Sequence, residues 1–317
     1  MVNKSIFTPD CSIIIVSYNV AAYVLECLAS IYKQLADAEN THTIEVIVVD
    51  SASIDDTVAG IREEFPQVKV LAQTENVGFT RGNNIGLTVA QGRTLFLLNP
   101  DTVVFAGAIT SMLDHLEEHP TVGIVGPHTY NSNMTTQSTR RRFPTKLTAF
   151  FESTWLQGYA PRRILANFYL SDVPDTYTQP VDWVQGSAMM VRREVYEQIG
   201  GLDEAYTMYS EELDWCRRAK DAGWQIVYVA DAHIIHYGGA STDHAGALKH
   251  IYFQTSKLRY YYKYHGAFFA FILRLFLLAG YSCQLLMEWL KAALGSQPAM
   301  RRERIKTYWQ VLRSGLV

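Results

Sequence analysis

The repeated alternation of short apolar runs with helical patterns is the feature of this sequence that most constrains its fold. Four apolar runs have the length of buried strands, and they are Ser12 to Val16, Ile44 to Val49, Val68 to Ala72 and Thr94 to Leu98. The segments between them carry helical patterns, at Ala21 to Gln34, Asp55 to Phe65 and Thr80 to Ala90. Repeated strand, helix, strand units predict a parallel, doubly wound sheet with right-handed crossovers.

The same alternation returns further along the chain. The later predicted elements are a helix at Ala106 to His119, strands at Gly123 to Val125 and Ala188 to Val191, helices at Arg193 to Ile199 and Glu211 to Ala222, and a strand at Gln225 to Val229. We therefore predict an α/β fold with a mostly parallel sheet flanked by helices. The stretch from Tyr130 to Tyr177 is different, because it is basic and has little periodicity. We predict that it is a partly mobile excursion beside the site, either a lid or acceptor loop or simply a solvated basic loop.

Composition argues against several classes of protein. The 317 residues have a formal net charge of −3, whereas a dedicated nucleic-acid binder would have a strongly basic face. The four cysteines are scattered without a CxxC pair, so neither a zinc site nor a disulfide framework is indicated. A reducing compartment is expected. The N-terminal segment MVNKSIFTPD lacks the apolar core of a signal peptide, which predicts a cytoplasmic N-terminal domain.

Polar side chains follow the four N-terminal strands at the points where these strands end. They lie at Ser17 to Asn19, at Asp50, at Asn76 to Asn84 and at Asn99 to Asp101. Since the carboxyl ends of parallel strands meet at one edge of a sheet, we expect a ligand site there. Asp50 could cap the next helix or accept hydrogen bonds from a nucleotide. The sequence has neither GxGxxG after the first strand nor GxxxxGK[ST], which argues against dinucleotide-binding oxidoreductases and P-loop NTPases.

Six sequence blocks between Cys11 and Thr242 occur in an order typical of one enzyme family. The blocks are IIIVSYN, VVDSASIDDT, ENVGFTRGNNIG, LLNPD, DWVQGSAMMVRREVYEQIGGLDEAYTMYSEELDWCRRAKDAGW and HYGGAST. This combination resembles the inverting family 2 glycosyltransferases, and especially their rhamnosyltransferase-like branch in cell-surface polysaccharide synthesis. The resemblance implies a GT-A fold, which is a Rossmann-like sheet flanked by helices.

The resemblance also implies roles for residues in the nucleotide half. Ser17, Tyr18 and Asp50 would frame the nucleobase, with the Asp50 carboxylate accepting the imide N–H of a uracil or thymine. The residues implied to lie along the ribose and diphosphate are Asn76, Gly78, Arg81, Asn84 and Asn99.

A metal site is implied at the end of the fourth strand. Asp101 matches the second acid of the family's DxD motif, and Asn99 replaces the first, which leaves one carboxylate fewer for the metal. His236 stands where such enzymes often supply a further contact to the metal or diphosphate, although it could also be an ordinary loop histidine. Oxygen ligands favour Mg²⁺ or Mn²⁺, and an imidazole favours Mn²⁺ of the two.

The catalytic base is expected among three acids of one helix. A single displacement at the anomeric carbon needs a carboxylate that takes the proton of the acceptor hydroxyl. The family's acidic pair corresponds to Glu211 and Glu212, and Glu212 stands at the catalytic position. Asp214 is the alternative base, and the acids could instead only favour a helix N-terminus, at ~0.3 to 1 kcal/mol each. The same block implies an acceptor site at Trp183, Gln185, Gly186 and Ser187.

The resemblance implies a metal-dependent hexosyltransferase that uses a dTDP- or UDP-linked sugar. Rhamnose from dTDP-rhamnose is the most specific expectation, with a lipid-linked saccharide or polysaccharide as acceptor in the cell envelope. Two alternatives stay open. One is a sugar-nucleotide nucleotidyltransferase, whose glycine-rich basic signature is missing from SYNVAAYVLE. The other is a catalytically degenerate nucleotide-binding subunit, which Asn99 in place of an acid permits.

The C-terminal part differs from the rest. We predict a catalytic domain over residues 1–247, with a nucleotide-sugar half at 11–126 and an acceptor half at 127–247, and a helical extension at 248–317. Gly266 to Met287 is long enough to cross a membrane and has one charge, Arg274. The polar residues that fall in one arc of this helix are Lys263, Arg274, Tyr281, Gln284, Glu288 and Lys291.

We therefore predict that this helix lies on the inner face of the cell membrane with Arg274 among the headgroups. The basic residues that suit anionic lipid are Arg301, Arg302, Arg304 and Lys306. Packing in an oligomer interface or against the catalytic domain is the alternative, so a homo-oligomer stays open.

Overall fold

A computed structural model describes residues 8–36, 41–238, 246–295 and 297–317. The chain forms two compact units. The sheet unit contains Met1–Phe143, Asp172–Glu204 and Glu212–Ser241, and the helical unit contains Pro144–Ser171, Ala205–Glu211 and Thr242–Val317. The functional division predicted near residues 126 and 247 stays a prediction. Gly239 to Thr242 of the HYGGAST block lie outside the described residues.

The strands belong to the sheet unit. Those described are β1 (Cys11–Ser17), β2 (Ile44–Asp50), β3 (Lys69–Ala72), β4 (Thr94–Leu98), β5 (Thr102–Val104), β6 (Val122–Tyr130), β7 (Arg140–Arg141), β8 (Gln179–Val181), β9 (Trp183–Val184), β10 (Ala188–Arg192) and β11 (Gln225–His236). The main sheet has the order β3-β2-β1-β4-β10-β6-β11-β5, with β8 also paired to β11, while β7 and β9 form a separate pair. The pairs β3/β2, β2/β1, β1/β4 and β6/β11 are parallel.

Helices of the sheet unit cover both faces of the sheet. The described α-helices are α1 (Ala21–Leu35), α2 (Thr57–Glu64), α3 (Gly78–Val89), α4 (Ala108–Glu118), α5 (Lys146–Phe151), α6 (Arg162–Tyr169), α7 (Arg193–Ile199), α8 (Glu211–Asp221), α9 (Ala247–His265), α10 (Ala267–Ala293) and α11 (Pro298–Ser314). On one face, α1, α2 and α4 form a core with the alternate side chains of the central strands. On the other face, α3 packs closely on β1, because a Cβ atom at Gly82 would lie 2.8 Å from Val16 Cγ1.

The predicted sheet class is confirmed, and the structure adds its strand directions. β10 lies antiparallel between β4 and β6, so it separates the two parallel parts of the sheet. The hydrophobic pattern of Ala188 to Val191 predicted a strand, but a buried strand has the same pattern in either direction. β11 also continues to His236, whereas the prediction ended at Val229. His236 is therefore the last residue of a strand and does not follow one.

The stretch from Tyr130 to Tyr177 is more ordered than its sequence indicated. It contains the strand β7 and the helices α5 and α6, and Arg140 of its basic run is buried. Arg140 donates to the carbonyl oxygen of Val173 and to Gln179 Oε1, which satisfies part of the guanidinium. The prediction of a solvated loop was therefore wrong for this arginine and for the two helices, and the partial mobility stays a prediction.

The helical unit has its own buried contacts. Lys257 of α9 lies within 3.2 Å of the Glu152 carboxylate, and the Tyr261 hydroxyl donates to the Thr145 carbonyl oxygen. Phe150 of α5 packs edge-on against Phe276 of α10. These contacts hold α5, α9 and α10 together.

Candidate active site

The register of the parallel strands brings the first polar side chains together. Ser17 and Asp50 are partners at the ends of β1 and β2. Ser17 Oγ donates to Asp50 Oδ1 at 3.0 Å, and the Ser53 backbone N–H donates to Asp50 Oδ2 at 2.9 Å. Asp50 is only 1% exposed, so its carboxylate also organises the turn after β2. Tyr18, the other residue expected at the nucleobase, is exposed at the same strand end. Their contacts with a nucleobase stay a prediction.

The next loop is fixed by an asparagine oxygen. Asn76 Oδ1 accepts from Ser51 Oγ at 3.0 Å and from the Gly78 backbone N–H at 2.9 Å. Gly78 has a φ of +73°, a left-handed conformation that favours glycine. Asn76 and Gly78 thus set the entry into α3 at the ligand edge of the sheet.

Two residues expected on the diphosphate side have different surroundings. Arg81 is exposed and lies 3.8 Å from a carboxylate oxygen of Glu75, a loose pair that leaves its guanidinium accessible. Asn84 is engaged within the protein, since its side chain both donates to the carbonyl oxygen and accepts from the N–H of Leu202. Asn84 also donates to Glu204 Oε1. The structure thus gives Asn84 a structural role, and its contact with a nucleotide stays a prediction.

Asp101, Asn99 and His236 lie together where β4, β5 and β11 meet. His236 of β11 pairs with Thr102 of β5, the residue after Asp101. His236 Nε2 lies 3.3 Å from Asp101 Oδ1 and 3.2 Å from Asn99 Nδ2. The two residues predicted to hold a metal are therefore neighbours, although far apart in the sequence.

Gln137 fixes how His236 is oriented. Gln137 Nε2 donates to Asn131 Oδ1 at 3.0 Å, which turns Gln137 Oε1 towards His236 Nδ1 at 2.8 Å. In this arrangement Nδ1 carries the proton and donates, and the lone pair of Nε2 accepts from Asn99 Nδ2, beside Asp101. Sequence analysis did not identify Gln137, because it lies in the irregular stretch after β6 and no spacing connects it with His236.

The residues around Asp101 fit a divalent cation. A carboxylate oxygen of Asp101 and the Nε2 atom of His236 lie 3.3 Å apart, and the hydrogen bond to Gln137 orients the imidazole, as is usual for metal-bound histidines. Asn99 Oδ1 is buried, and within the described residues it has no hydrogen-bond partner. No group of three His, Cys, Asp or Glu side chains suitable for a metal occurs in that part of the chain, because Asn99 replaces an acid. Asp101 and His236 could hold the cation, with Asn99 as a neutral oxygen ligand.

Glu212 has the surroundings of a base. Its Oε2 atom is buried and lacks a hydrogen-bond partner among the residues that the structure describes. Burial raises the pKa of the Glu212 carboxyl, and backbone N–H groups, including that of Gly186, together with the charge of Arg141, oppose this shift only in part. A Cβ atom at Gly186 would lie 3.3 Å from the Glu212 side chain, so glycine permits this close approach.

Asp214, the alternative base, forms a buried ion pair. It is fully buried and accepts from Arg218 Nε at 2.8 Å. Arg218 also donates to the carbonyl oxygens of Ile199 and Gly201, so the pair fastens the turn after α7 to α8. Glu211 is buried and begins α8. The geometry favours Glu212 over Asp214, and the assignment of the base stays a prediction.

The expected acceptor residues form one segment before β10. Trp183 donates from Nε1 to the Arg142 carbonyl oxygen at 3.0 Å, and the Arg141 guanidinium lies over its ring. Gln185 is half-buried. Ser187 Oγ is buried without a hydrogen-bond partner in the described ranges, which makes it available to a substrate. Arg141, which neighbours both Trp183 and Glu212, was not among the sequence candidates.

Comparisons with known proteins connect this chain with one enzyme family. The model of the family described as "Glycosyl transferase family 2" matches residues 12–200. The N-acetylglucosaminyl-diphospho-decaprenol L-rhamnosyltransferase of Mycobacterium tuberculosis is 27% identical over 243 residues, which are 73% of this chain and 76% of that protein. Rhamnosyltransferase WbbL of Escherichia coli is 27% identical over 180 residues, 50% of this chain and 61% of that protein.

Solved structures show the same fold. The mannosyltransferase PcManGT from Pyrobaculum calidifontis, in complex with GDP-Man and Mn²⁺, has a TM-score of 0.55 at 19% identity, covering 98% of this chain and 86% of its own. GalNAc-T7 with UDP, GalNAc and Mn²⁺ has a TM-score of 0.56 at 15% identity, covering 72% of this chain and 43% of its own. Since the family model matches more than half of its residues, the chain belongs to glycosyltransferase family 2.

Proposed function

We propose that this enzyme is an inverting glycosyltransferase that transfers rhamnose from dTDP-rhamnose to a lipid-linked or polysaccharide acceptor in cell-surface glycan synthesis. Two relatives that carry rhamnosyltransferase names support the donor. The name of the first also supports a diphospholipid-linked sugar as the acceptor. Both relatives are distant. Membership of the family therefore supports only the class of reaction, and support for the mechanism has to come from the residues of the site.

The observation that carries the proposal is the contrast between Glu212 and Asp214 on one helix. Asp214 is paired with Arg218, whereas Glu212 has a buried carboxylate oxygen without a partner in the described part of the chain and a raised pKa. A raised pKa makes the ionised carboxylate a stronger base, which is what abstraction of a hydroxyl proton requires. A base and no covalent nucleophile is the requirement of an inverting transfer.

The proposed step balances as a single displacement. The acceptor hydroxyl gives its proton to Glu212 while its oxygen forms a bond to the anomeric carbon. The bond between that carbon and the diphosphate oxygen breaks, and its electron pair leaves with the nucleoside diphosphate. Arg141 stabilises the ionised form of Glu212 before the proton arrives, because its charge lowers the pKa that burial raises. Ser187 Oγ is free to hydrogen-bond a substrate hydroxyl.

The leaving group needs a positive partner. Asp101 and His236 would hold a divalent cation, which when bound neutralises charge on the diphosphate. The mixed oxygen and nitrogen ligands suit Mn²⁺ better than Mg²⁺. Asn76, Gly78 and Arg81 would lie along the ribose and diphosphate, and Ser17, Tyr18 and Asp50 along the base.

A donor screen tests the proposal. Thermal unfolding would be followed with dTDP-rhamnose, UDP-N-acetylglucosamine and GDP-mannose, each with and without Mn²⁺, and the best ligand would then be tested for slow hydrolysis. A ligand at 100 times its dissociation constant should add about 2.7 kcal/mol to the stability. We expect the largest shift with dTDP-rhamnose plus Mn²⁺, with release of dTDP. A larger shift with another donor would overturn the rhamnose assignment, and pyrophosphate exchange in place of hydrolysis would overturn the transferase mechanism.

A further inference from the structure

We infer that the outward face of α10 docks on the surface of an anionic lipid bilayer. The first support is the distribution of charge. The helical unit contains 14 Lys and Arg residues against 5 Asp and Glu residues, a formal charge of +9, within a chain whose net charge is −3. A unit with this excess is attracted to anionic headgroups. The inference does not depend on the identity of the donor sugar.

The second support is an uncharged apolar stripe along α10. Its exposed residues recur at helical spacing and are Phe268, Phe271, Ile272, Leu275, Ala279, Ser282, Leu286 and Leu290. Phe268 is 78% exposed, so the stripe is open in this chain. At a rise of about 1.5 Å per residue the stripe extends for roughly 33 Å. It is therefore a continuous apolar surface, whereas single exposed apolar residues are common on any protein.

The two charged residues within the apolar part of α10 point the other way. Between Ala267 and Leu290 the charged residues are Arg274 and Glu288. Arg274 Nε donates to the Gly315 carbonyl oxygen at 2.7 Å, and Glu288 binds Arg301 and Arg304 of α11. Arg274 and Glu288 of the predicted polar arc thus pack inside the helical unit, whereas Lys263 and Lys291 at its two ends are exposed. The prediction that Arg274 lies among headgroups was wrong. The face that this packing leaves outward is apolar.

The helical unit also exposes aromatic and basic side chains on α10 and α11. Trp289 and Trp309 are each about 60% exposed, and tryptophan is the residue that membrane interfaces favour. Arg302 and Lys306 of α11 are exposed. An apolar stripe with tryptophan and basic neighbours is the pattern of a helix that lies in the plane of a bilayer surface.

The packing argues for the surface and against a span. By length and composition α10 could cross a membrane, with a mean hydropathy of 1.7 and 28% burial in its most apolar window. Its polar side, however, is bonded to α11 through Glu288, Arg301 and Arg304. A spanning α10 would either break the hydrogen bond from Arg274 to Gly315 or carry Arg274 with its partner into hydrocarbon, at ~2.5 to 3.5 kcal/mol for the charge. Lying on the surface requires neither.

Flotation of the full chain with vesicles tests the inference. The vesicles would be pure phosphatidylcholine or its mixture with phosphatidylglycerol, at low and high salt. We expect flotation with the anionic vesicles at low salt, and weaker flotation at high salt. The variant F271E/L275E should partition at least about tenfold less. Its matched control is I54E, because Ile54 is a 93% exposed apolar residue of the sheet unit, and it should float like the wild type.

A second variant keeps the test decisive if the first one unfolds. R302E/K306E changes only exposed charges and should reduce binding to anionic vesicles by about tenfold or more. The inference is overturned if the wild type does not float, or if I54E loses as much binding as F271E/L275E. A soluble dimer that F271E/L275E dissociates, without flotation of the wild type, would make a second copy the occupant. Resistance of the vesicle-bound protein to carbonate would make α10 a spanning helix.

Discussion

The two units of this chain place charge and apolar surface in opposite ways. The sheet unit has a formal charge of −12 and the helical unit a charge of +9. Of the 22 large apolar side chains that are exposed among the described residues, 17 belong to the helical unit, although it is the smaller one. The sheet unit buries most of its apolar residues and has acidic side chains at the ends of its strands, which are features of a catalytic domain. A basic unit with exposed apolar side chains is suited to contact with something outside the chain.

The comparison also explains why the site needs local positive charge. A nucleoside diphosphate is an anion, and the sheet unit that is proposed to bind it is acidic. Long-range attraction therefore does not favour the donor. Arg81, Arg141 and a cation at Asp101 and His236 would supply the attraction at short range.

The largest effect is expected for the turnover of a variant at Glu212, which tests whether catalysis depends on the sheet unit. Glu212→Gln should lower turnover by about 10² to 10⁴ while nucleotide binding stays unchanged, because the amide keeps the shape and loses the basicity. The measurements are the rate of sugar transfer or donor hydrolysis and calorimetry with dTDP and Mn²⁺. Full activity in this variant would contradict the assignment of the base.

The second prediction tests whether α10 really has a buried and an exposed side. Leu273 is fully buried and Leu275 is 51% exposed on the same helix. Leu273→Ala should cost about 2 to 5 kcal/mol, because it leaves a cavity. Leu275→Ala should change stability by about 0.5 kcal/mol or less. Urea unfolding of both variants gives the answer, and equal losses would mean that the outward face is packed in the protein without lipid.

A third prediction separates structural from catalytic acids. Asp214→Asn should destabilise the sheet unit by about 3 kcal/mol, since it leaves Arg218 without its buried carboxylate. Glu212→Gln should lower stability less, because burial already disfavours the charge of the Glu212 carboxylate, as its raised pKa shows. Thermal unfolding of the two variants makes the comparison. If Asp214→Asn is stable but inactive, Asp214 is the base.

Gln137 should have a smaller effect. Gln137→Leu removes the acceptor that orients His236, and loss of such a group typically costs 10-fold to 100-fold in metal affinity. Mn²⁺ binding in the presence of dTDP, followed by electron paramagnetic resonance, measures this without turnover. Gln137→Glu still accepts from Nδ1 and should retain most of the affinity. Equal loss in both variants would mean that Gln137 acts through packing alone.

The last prediction concerns the pH below which the enzyme loses activity. Glu212 acts as a base only when ionised, and its raised pKa means that it becomes protonated at a higher pH than an ordinary glutamate. Activity should therefore fall with decreasing pH at a point above the ordinary value of 4.5. The profile of kcat/KM against pH reports this pKa in the free enzyme. An acidic limb at or below 4.5 would assign it to another carboxylate.

The sheet and its ligand edge could be predicted because their signals are local. Apolar runs such as Thr94 to Leu98 and the turn residues after them identify strands and their ends, and parallel strands place those ends at one edge. The pairing of Ser17 with Asp50 and the position of Asp101 follow from this rule. The family blocks added the expected roles.

Other features have no local signal. The antiparallel direction of β10, the helices after Tyr130 and the extension of β11 to His236 depend on which partner each segment finds. Gln137 reaches His236 across 99 positions of sequence. Asp214 and Glu212 have the same chemistry in the sequence, and only their neighbours make one a structural partner and leave the other available.

The sequence by itself thus determined the α/β class, the strand ends that carry polar groups and the apolar length of α10, since these depend on residue type and periodicity. Only the tertiary structure decided which acid is paired, how His236 is oriented and which side of α10 faces outward. The physical reason is that pairing, burial and orientation belong to contacts between distant residues. On α10 the residues Arg274 and Glu288 of the polar arc could have faced water or protein, and the hydrogen bond from Arg274 to Gly315 and the ion pairs of Glu288 turned them towards protein.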